Sequence, residues 1–167
     1  DITADNDVPD GIVPITYTAA GDQGVILIDT AATVATGARY FVYLLETSDG
    51  TTTVVEYIPE LKPIETVARL SFLQSSPVEN GLDVYTVASG ETIDEETPLL
   101  PGLPSGIVPI DADFIAGPID IYVTPNGDKT VLAGPISLDL TTGDVVQIII
   151  YENVDPNFVD VVVVPLT

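Results

Sequence analysis

Gly11-Ile12-Val13-Pro14-Ile15 returns unchanged as Gly106-Ile107-Val108-Pro109-Ile110, a shift of 95 positions. A second match follows at a shift of 106, where Thr36-Gly37 and Tyr40-Phe41-Val42-Tyr43-Leu44-Leu45-Glu46 align with Thr142-Gly143 and Val146-Gln147-Ile148-Ile149-Ile150-Tyr151-Glu152. The same shift carries Val55-Glu56-Tyr57-Ile58-Pro59 onto Val161-Val162-Val163-Val164-Pro165. Valine, isoleucine and glycine recur by chance in any β-rich chain. A five-residue identity followed by an in-register turn, strand and proline is better explained by duplication, and repeats of this length stack as modules. The copies differ by an insertion of 11 residues in the second, around Asn126-Gly127.

Working outward from the repeat, runs rich in Val, Ile, Thr, Tyr and Phe alternate with Gly, Pro, Asp and Asn along the whole chain, the pattern of short strands and tight turns in a sandwich. Strands are expected at 12–18, 24–30, 39–47, 52–58, 67–73, 82–87, 107–113, 119–124, 130–132, 136–140, 145–152 and 158–164. Asp49-Gly50, Asn80-Gly81 and Asn126-Gly127 mark turns, the last between two strand-like runs and so a hairpin signal. No window has helical periodicity.

The two copies are unequal. Some forty residues, 66–105, lead up to Gly106 in its copy and hold the runs 67–73 and 82–87, whereas ten precede Gly11. The expected organisation is an incomplete first β repeat at 1–61 that lacks its opening strands, a linker at 62–65 carrying Lys62-Pro63, and a complete second repeat at 66–167.

Composition narrows the role. Twenty-six Asp and Glu face four Lys and Arg, a net charge of -22. Nucleic acid and anionic membranes, which attract basic patches, are therefore not expected partners. The charge reads as a solvated surface that keeps a β-rich chain soluble. Apolar stretches such as 161–164 and 148–151 are strand-sized, far below the roughly 18 residues of a spanning helix, so no membrane insertion is expected. The chain has no Met, which suggests a processed product or a segment of a longer one, with Asp1 a cut end. Absence of Cys excludes a disulfide scaffold without excluding secretion.

From Arg69 onward the chain resembles a family of secreted bacterial repeats known as domain of unknown function 4397. The resemblance rests on Arg69-Leu70-Ser71-Phe72-Leu73-Gln74-Ser75-Ser76-Pro77 and Leu82-Asp83-Val84-Tyr85. It continues through Ile119-Asp120-Ile121-Tyr122-Val123-Thr124-Pro125-Asn126-Gly127 and Leu140-Thr141-Thr142-Gly143. Gln74 stands where the family has His or Asn, and Val78 where it has Asp. The resemblance covers 66–167 and, as a trailing half-copy, 11–61. It implies an all-β, immunoglobulin-like or transthyretin-like antiparallel β-sandwich on an exported protein, and no chemistry.

Without His or Cys there is no Ser-His-Asp or Cys-His nucleophile and no zinc or thiolate site of the familiar kinds. Two-carboxylate glycoside chemistry is formally open to Asp111 with Asp113, which share a strand face, or to Asp94 with Glu95 and Glu96. With so many acids these spacings arise by chance, and the expectation is a non-enzyme with no catalytic, cofactor or metal residues. Calcium is the one cation left open, through Asp5-Asn6-Asp7 with Asp10 or the acids of 155–160, although the helix-loop calcium signature is absent. Seven tyrosines could stack on a glycan, but most lie in alternating strands where packing is the usual use.

The expected role is therefore a structural or assembly module at the cell exterior, a filament or surface-array subunit. Its partners are other copies of itself, and its half-copy is completed by β-strand addition from a neighbour. The runs 24–30 and 158–164 are apolar enough to be hazardous at an open edge. The alternative is a segment of a modular cell-surface adhesion or binding protein, with calcium or glycan as ligand, whose missing strands lie upstream.

Overall fold

The computed structural model describes residues 8–19, 21–47, 49–77, 81–152 and 159–167. Among these there is no helix and there are twelve strands. The first repeat region carries β1 (Gly11–Ala19), β2 (Asp22–Val34), β3 (Phe41–Glu46) and β4 (Thr52–Tyr57). The second carries β5 (Ala68–Gln74), β6 (Leu82–Ala88), β7 (Leu100–Leu103), β8 (Ile110–Phe114), β9 (Gly117–Pro125), β10 (Ala133–Leu140), β11 (Val145–Glu152) and β12 (Val159–Pro165). The expected all-β class is what the chain adopts.

Two four-stranded sheets make the sandwich, ordered β10-β9-β6-β7 and β12-β11-β5-β8. Every pairing is antiparallel except β5 with β11, which run parallel from Arg69↔Val145 to Gln74↔Ile150. Period-2 alternation sends Ala68, Leu70 and Phe72 of β5 inward to meet Leu82, Val84, Ile121, Val123, Ile148 and Ile150, all fully buried. Each such aliphatic or aromatic side chain contributes about 1.5–3 kcal/mol by leaving water.

The other face of β5 is buried as well. Hairpin β3–β4 lies across the outside of this sheet, where Leu45 and Val55 close over Leu73, with Tyr43 and Ile149 beside them. Two-sided burial explains why Leu70-Ser71-Phe72-Leu73-Gln74 reads as an almost continuous buried run instead of alternating. Polar bonds tie the layers. Tyr43 Oη donates to Gln147 Oε1 at 2.6 Å, Ser71 Oγ donates to Tyr57 Oη at 2.9 Å, and Tyr57 Oη donates to Asp111 Oδ1 at 3.0 Å. Arg39 Nη1 donates to the Leu166 carbonyl at 2.9 Å.

Strands β1 and β2 form a two-stranded arm with its own register, Gly11↔Val34 to Ala19↔Asp22, bulged near Thr18. Among the described residues neither strand contributes to an apolar cluster. Ile12, Val25, Ile26 and Leu27 are exposed.

Most expected strands fall where the alternation put them, with two exceptions. The run 130–132 is not a strand; Leu132 N still donates to the Val123 carbonyl, but β10 begins at Ala133 and its register shifts before Ile136. The second is β7, hidden in sequence by Pro101-Gly102 because a short edge strand tolerates both. The turn glycines Gly50 and Gly127 take the positive φ their turns need, 78° and 76°. Asn80 lies outside the described residues, as does Val78.

The repeated pentapeptide ends in two different surroundings. A Cβ on Gly11 would meet nothing within 4 Å, whereas one on Gly106 would lie 2.6 Å from Thr47 Cγ2. Gly106 thus packs closely on the β3–β4 turn, at a φ of 77° that residues with a side chain rarely adopt.

Candidate functional site

The chemistry-bearing residues singled out by sequence are engaged structurally. Asp111 and Asp113 both sit on β8 and share its outer face as expected, but Asp113 Oδ1 accepts from Arg69 Nε at 2.9 Å and Asp111 accepts from Tyr57. Asp94 accepts from Thr92 Oγ1, and Lys129 Nζ gathers the carbonyls of Ile93, Asp94 and Glu96, which pins that loop over Tyr85. A general acid needs a raised pKa. The described carboxylates with shifted values move down: Asp49 to about 2 through bonds from Thr47 and Thr51, Asp120 through Ser137 and Gly90, and Asp128 through Thr130. Of the calcium candidates, Asp5, Asn6, Asp7 and 155–158 lie outside the described residues; Asp10 accepts a short hydrogen bond from Thr36 Oγ1. Among the described residues no group of three or more acids is placed to hold a metal ion.

Two acids not singled out as site residues are buried, Asp83 and Asp120. Asp83 accepts from the backbone N–H of Gly102 at 2.7 Å and of Gly127 at 2.9 Å. Asp120 accepts from Gly90 N at 2.7 Å and Ser137 Oγ at 2.6 Å. Each carboxylate ties a turn and a neighbouring strand to the β6–β9 pair, a structural use. A signal existed: Leu82-Asp83-Val84-Tyr85 and Ile119-Asp120-Ile121-Tyr122 share one pattern on neighbouring strands, with Tyr85↔Tyr122 directly opposite. A groove of about 510 Å³ lined by Glu60, Lys62, Pro63, Ile64, Glu65 and Arg69 flanks the linker and collects two of the four cations.

The feature that stands apart is a strand edge. Thr47 N donates to the Thr51 carbonyl, and the register Phe41↔Tyr57 to Glu46↔Thr52 continues that pairing. Ladder bonds alternate in an antiparallel pair, so Phe41, Tyr43 and Leu45 point their backbone groups at β4 while Val42 and Leu44 point theirs away. Among the described residues β3 has no second strand neighbour. The Val42 carbonyl instead accepts from the Tyr17 hydroxyl of β1 at 2.9 Å. Burial raises the pKa of that phenol.

The stretch matched at the shift of 106 lies on β11, where the corresponding edge is filled. At the shift of 106, Val42 corresponds to Ile148 and Leu44 to Ile150. Those residues face β5: Arg69 N donates to the Asp144 carbonyl, Ser75 N donates to the Ile150 carbonyl at 2.7 Å, and β5 fills the edge between. At the shift of 95, β1 and β2 correspond to β8 and β9, which pair with β5 and β6 respectively. Strands β1 and β2 instead pair with each other.

No protein-family model matches the chain, and no curated protein matches it. Among solved structures it is similar to the C-terminal domain of AlgF from P. aeruginosa, with a TM-score of 0.40 and 16% identity over 60% of this chain and 97% of that domain.

Proposed function

We propose that the protein is a non-catalytic extracellular structural module of the domain-4397 kind, a filament or surface-array subunit completed by a strand from a neighbouring copy. One observation carries the reading: the β3 edge, whose counterpart on β11 is occupied by β5, is met among the described residues by a single phenol. Unpaired N–H and C=O groups on an apolar strand favour pairing with another chain. The two-stranded β1–β2 arm supports it too, since an isolated hairpin is marginal in water and is stabilised by further strands. Light scattering and electron microscopy across concentration test the reading. Mass growth and regular filaments are expected; a fully folded chain that stays monomeric at high concentration overturns it.

A further inference from the structure

Resting on the assembly reading, we infer that the open edge of β3 receives the β12 edge strand of a second copy, so that copies join head to tail. Leu166 N donates to the Val145 carbonyl, and the β11–β12 register runs in step with that bond from Val146↔Pro165. Alternation then turns the N–H and C=O groups of Val162 and Val164 toward β11 and those of Val161 and Val163 outward. Val42 with Leu44 and Val161 with Val163 therefore present the same two-residue spacing on two strand edges of one molecule.

Most other edges carry features that deter pairing, β2 least of them because its run between Asp22 and Asp29 holds no acid or proline. Strand β7 has four residues with Pro101 and Gly102 inside, and β8 bears Asp111 and Asp113. Strand β10 has Pro135 and Asp139, β1 has Pro14, β2 has Asp22 and Asp29, and β4 has Glu56. Strand β12 has only Asp160 near its start before four valines. Charge favours the same pairing. On a chain of net charge -22 the stretch 39–45 carries no acid, so an equally acidic copy meets little repulsion there. Two different edges that fit each other make a heterologous contact, which grows into a ring or a filament. Tyr17 occupies the Val42 carbonyl until the incoming amide displaces it.

The test uses the full chain with Leu44→Pro and Val163→Pro. Each substitution removes one outward N–H and spares the bonds to β4 or β11. Each variant alone is expected to remain at the 17.6 kDa of one chain. Mixed, they should give a dimer that cannot grow, because the first keeps its β12 edge and the second its β3 edge. Tyr17→Phe, which frees the carbonyl, should tighten association of the wild type. Growth of either variant alone, or a mixture that stays monomeric while the wild type assembles, overturns the edge pairing and leaves assembly standing. A second arm does not depend on the variants folding. A peptide of residues 159–166 added to the wild-type monomer should slow amide exchange at Val42 and Leu44 by about tenfold. Protection there without any assembly keeps the edge pairing and removes the assembly reading. Protection before peptide is added means the chain already covers its own edge, which overturns the inference.

Discussion

Docking of the β3–β4 hairpin on the sandwich predicts an energetic link between Tyr43 and Gln147. The Gln147 side chain is fully buried, its Oε1 accepts from Tyr43 Oη at 2.6 Å, and its Nε2 has no partner. Burial pushes the Tyr43 hydroxyl well above the usual tyrosine range, as a desolvated phenol requires. Tyr43→Phe strands a second atom of that amide and should cost about 1–3 kcal/mol. With a urea slope near 2 kcal/mol/M, the midpoint falls by roughly 0.5–1.5 M. Gln147→Leu in the same background replaces both partners by apolar groups and should recover about 1 kcal/mol or more, because no buried amide is left unpaired. Urea melts of the two single variants and the double, followed by tyrosine fluorescence, complete the cycle. If Tyr43→Phe melts within about 0.5 kcal/mol of the wild type, or the second change adds to its loss instead of reversing it, the hairpin is not docked as described.

Other consequences can be read from single variants. Gln74 is 1% exposed and neither amide atom has a partner, so Gln74→Leu should raise stability by about 1 kcal/mol or more in thermal melts; a loss would mean that the amide has a partner there. Asp83→Ala leaves the Gly102 and Gly127 amides without their acceptor and should cost roughly 2–4 kcal/mol, measured as a urea midpoint, whereas Asp113→Ala at the exposed Arg69 pair should cost under about 1 kcal/mol. Burial first, then Asp111, pushes Tyr57 up from 10.0 to about 12, so the fold favours the neutral phenol. Its stabilisation is whole below pH 10 and drains away as pH rises to 12, and the advantage of wild type over Tyr57→Phe should shrink across that window; a constant difference would refute it.

Much of the fold was legible because strands announce themselves locally. The run Ile119-Asp120-Ile121-Tyr122-Val123 alternates, and the Gly50 and Gly127 turns have residues suited to positive φ. What stayed hidden was long-range. Phe41, Tyr43 and Leu45 show one apolar face, but no local period says that this face lands on Leu73 and Ile149 a domain away. The buried roles of Asp83 and Asp120 were hidden by their number, since two clamps among 26 acids look like surface charge until the loops they hold are placed. The open edge was legible only through the offsets: the matched run of 40–46 and 146–152 makes Val42 the counterpart of Ile148, and the pairing of β5 with β11 gives that correspondence its meaning.

The acids do two separate jobs, and their distribution follows from both. Buried carboxylates receive backbone N–H groups at loop ends, where a charged acceptor binds about twice as strongly as a neutral one. Exposed carboxylates line the edges of β2, β8 and β10, where a second chain would bring its own negative charge against them. A chain with four cations can neutralise little of such an approach, so repulsion adds to the protection of those edges. The protection is incomplete by the same logic. Strand β3 before Glu46, and β12 after Asp160, hold apolar residues alone, with no proline before Pro165 to withdraw an outward N–H. Under the proposed assembly, repulsion between the acidic surfaces favours one ordered contact through the acid-free stretches of β3 and β12 over general aggregation.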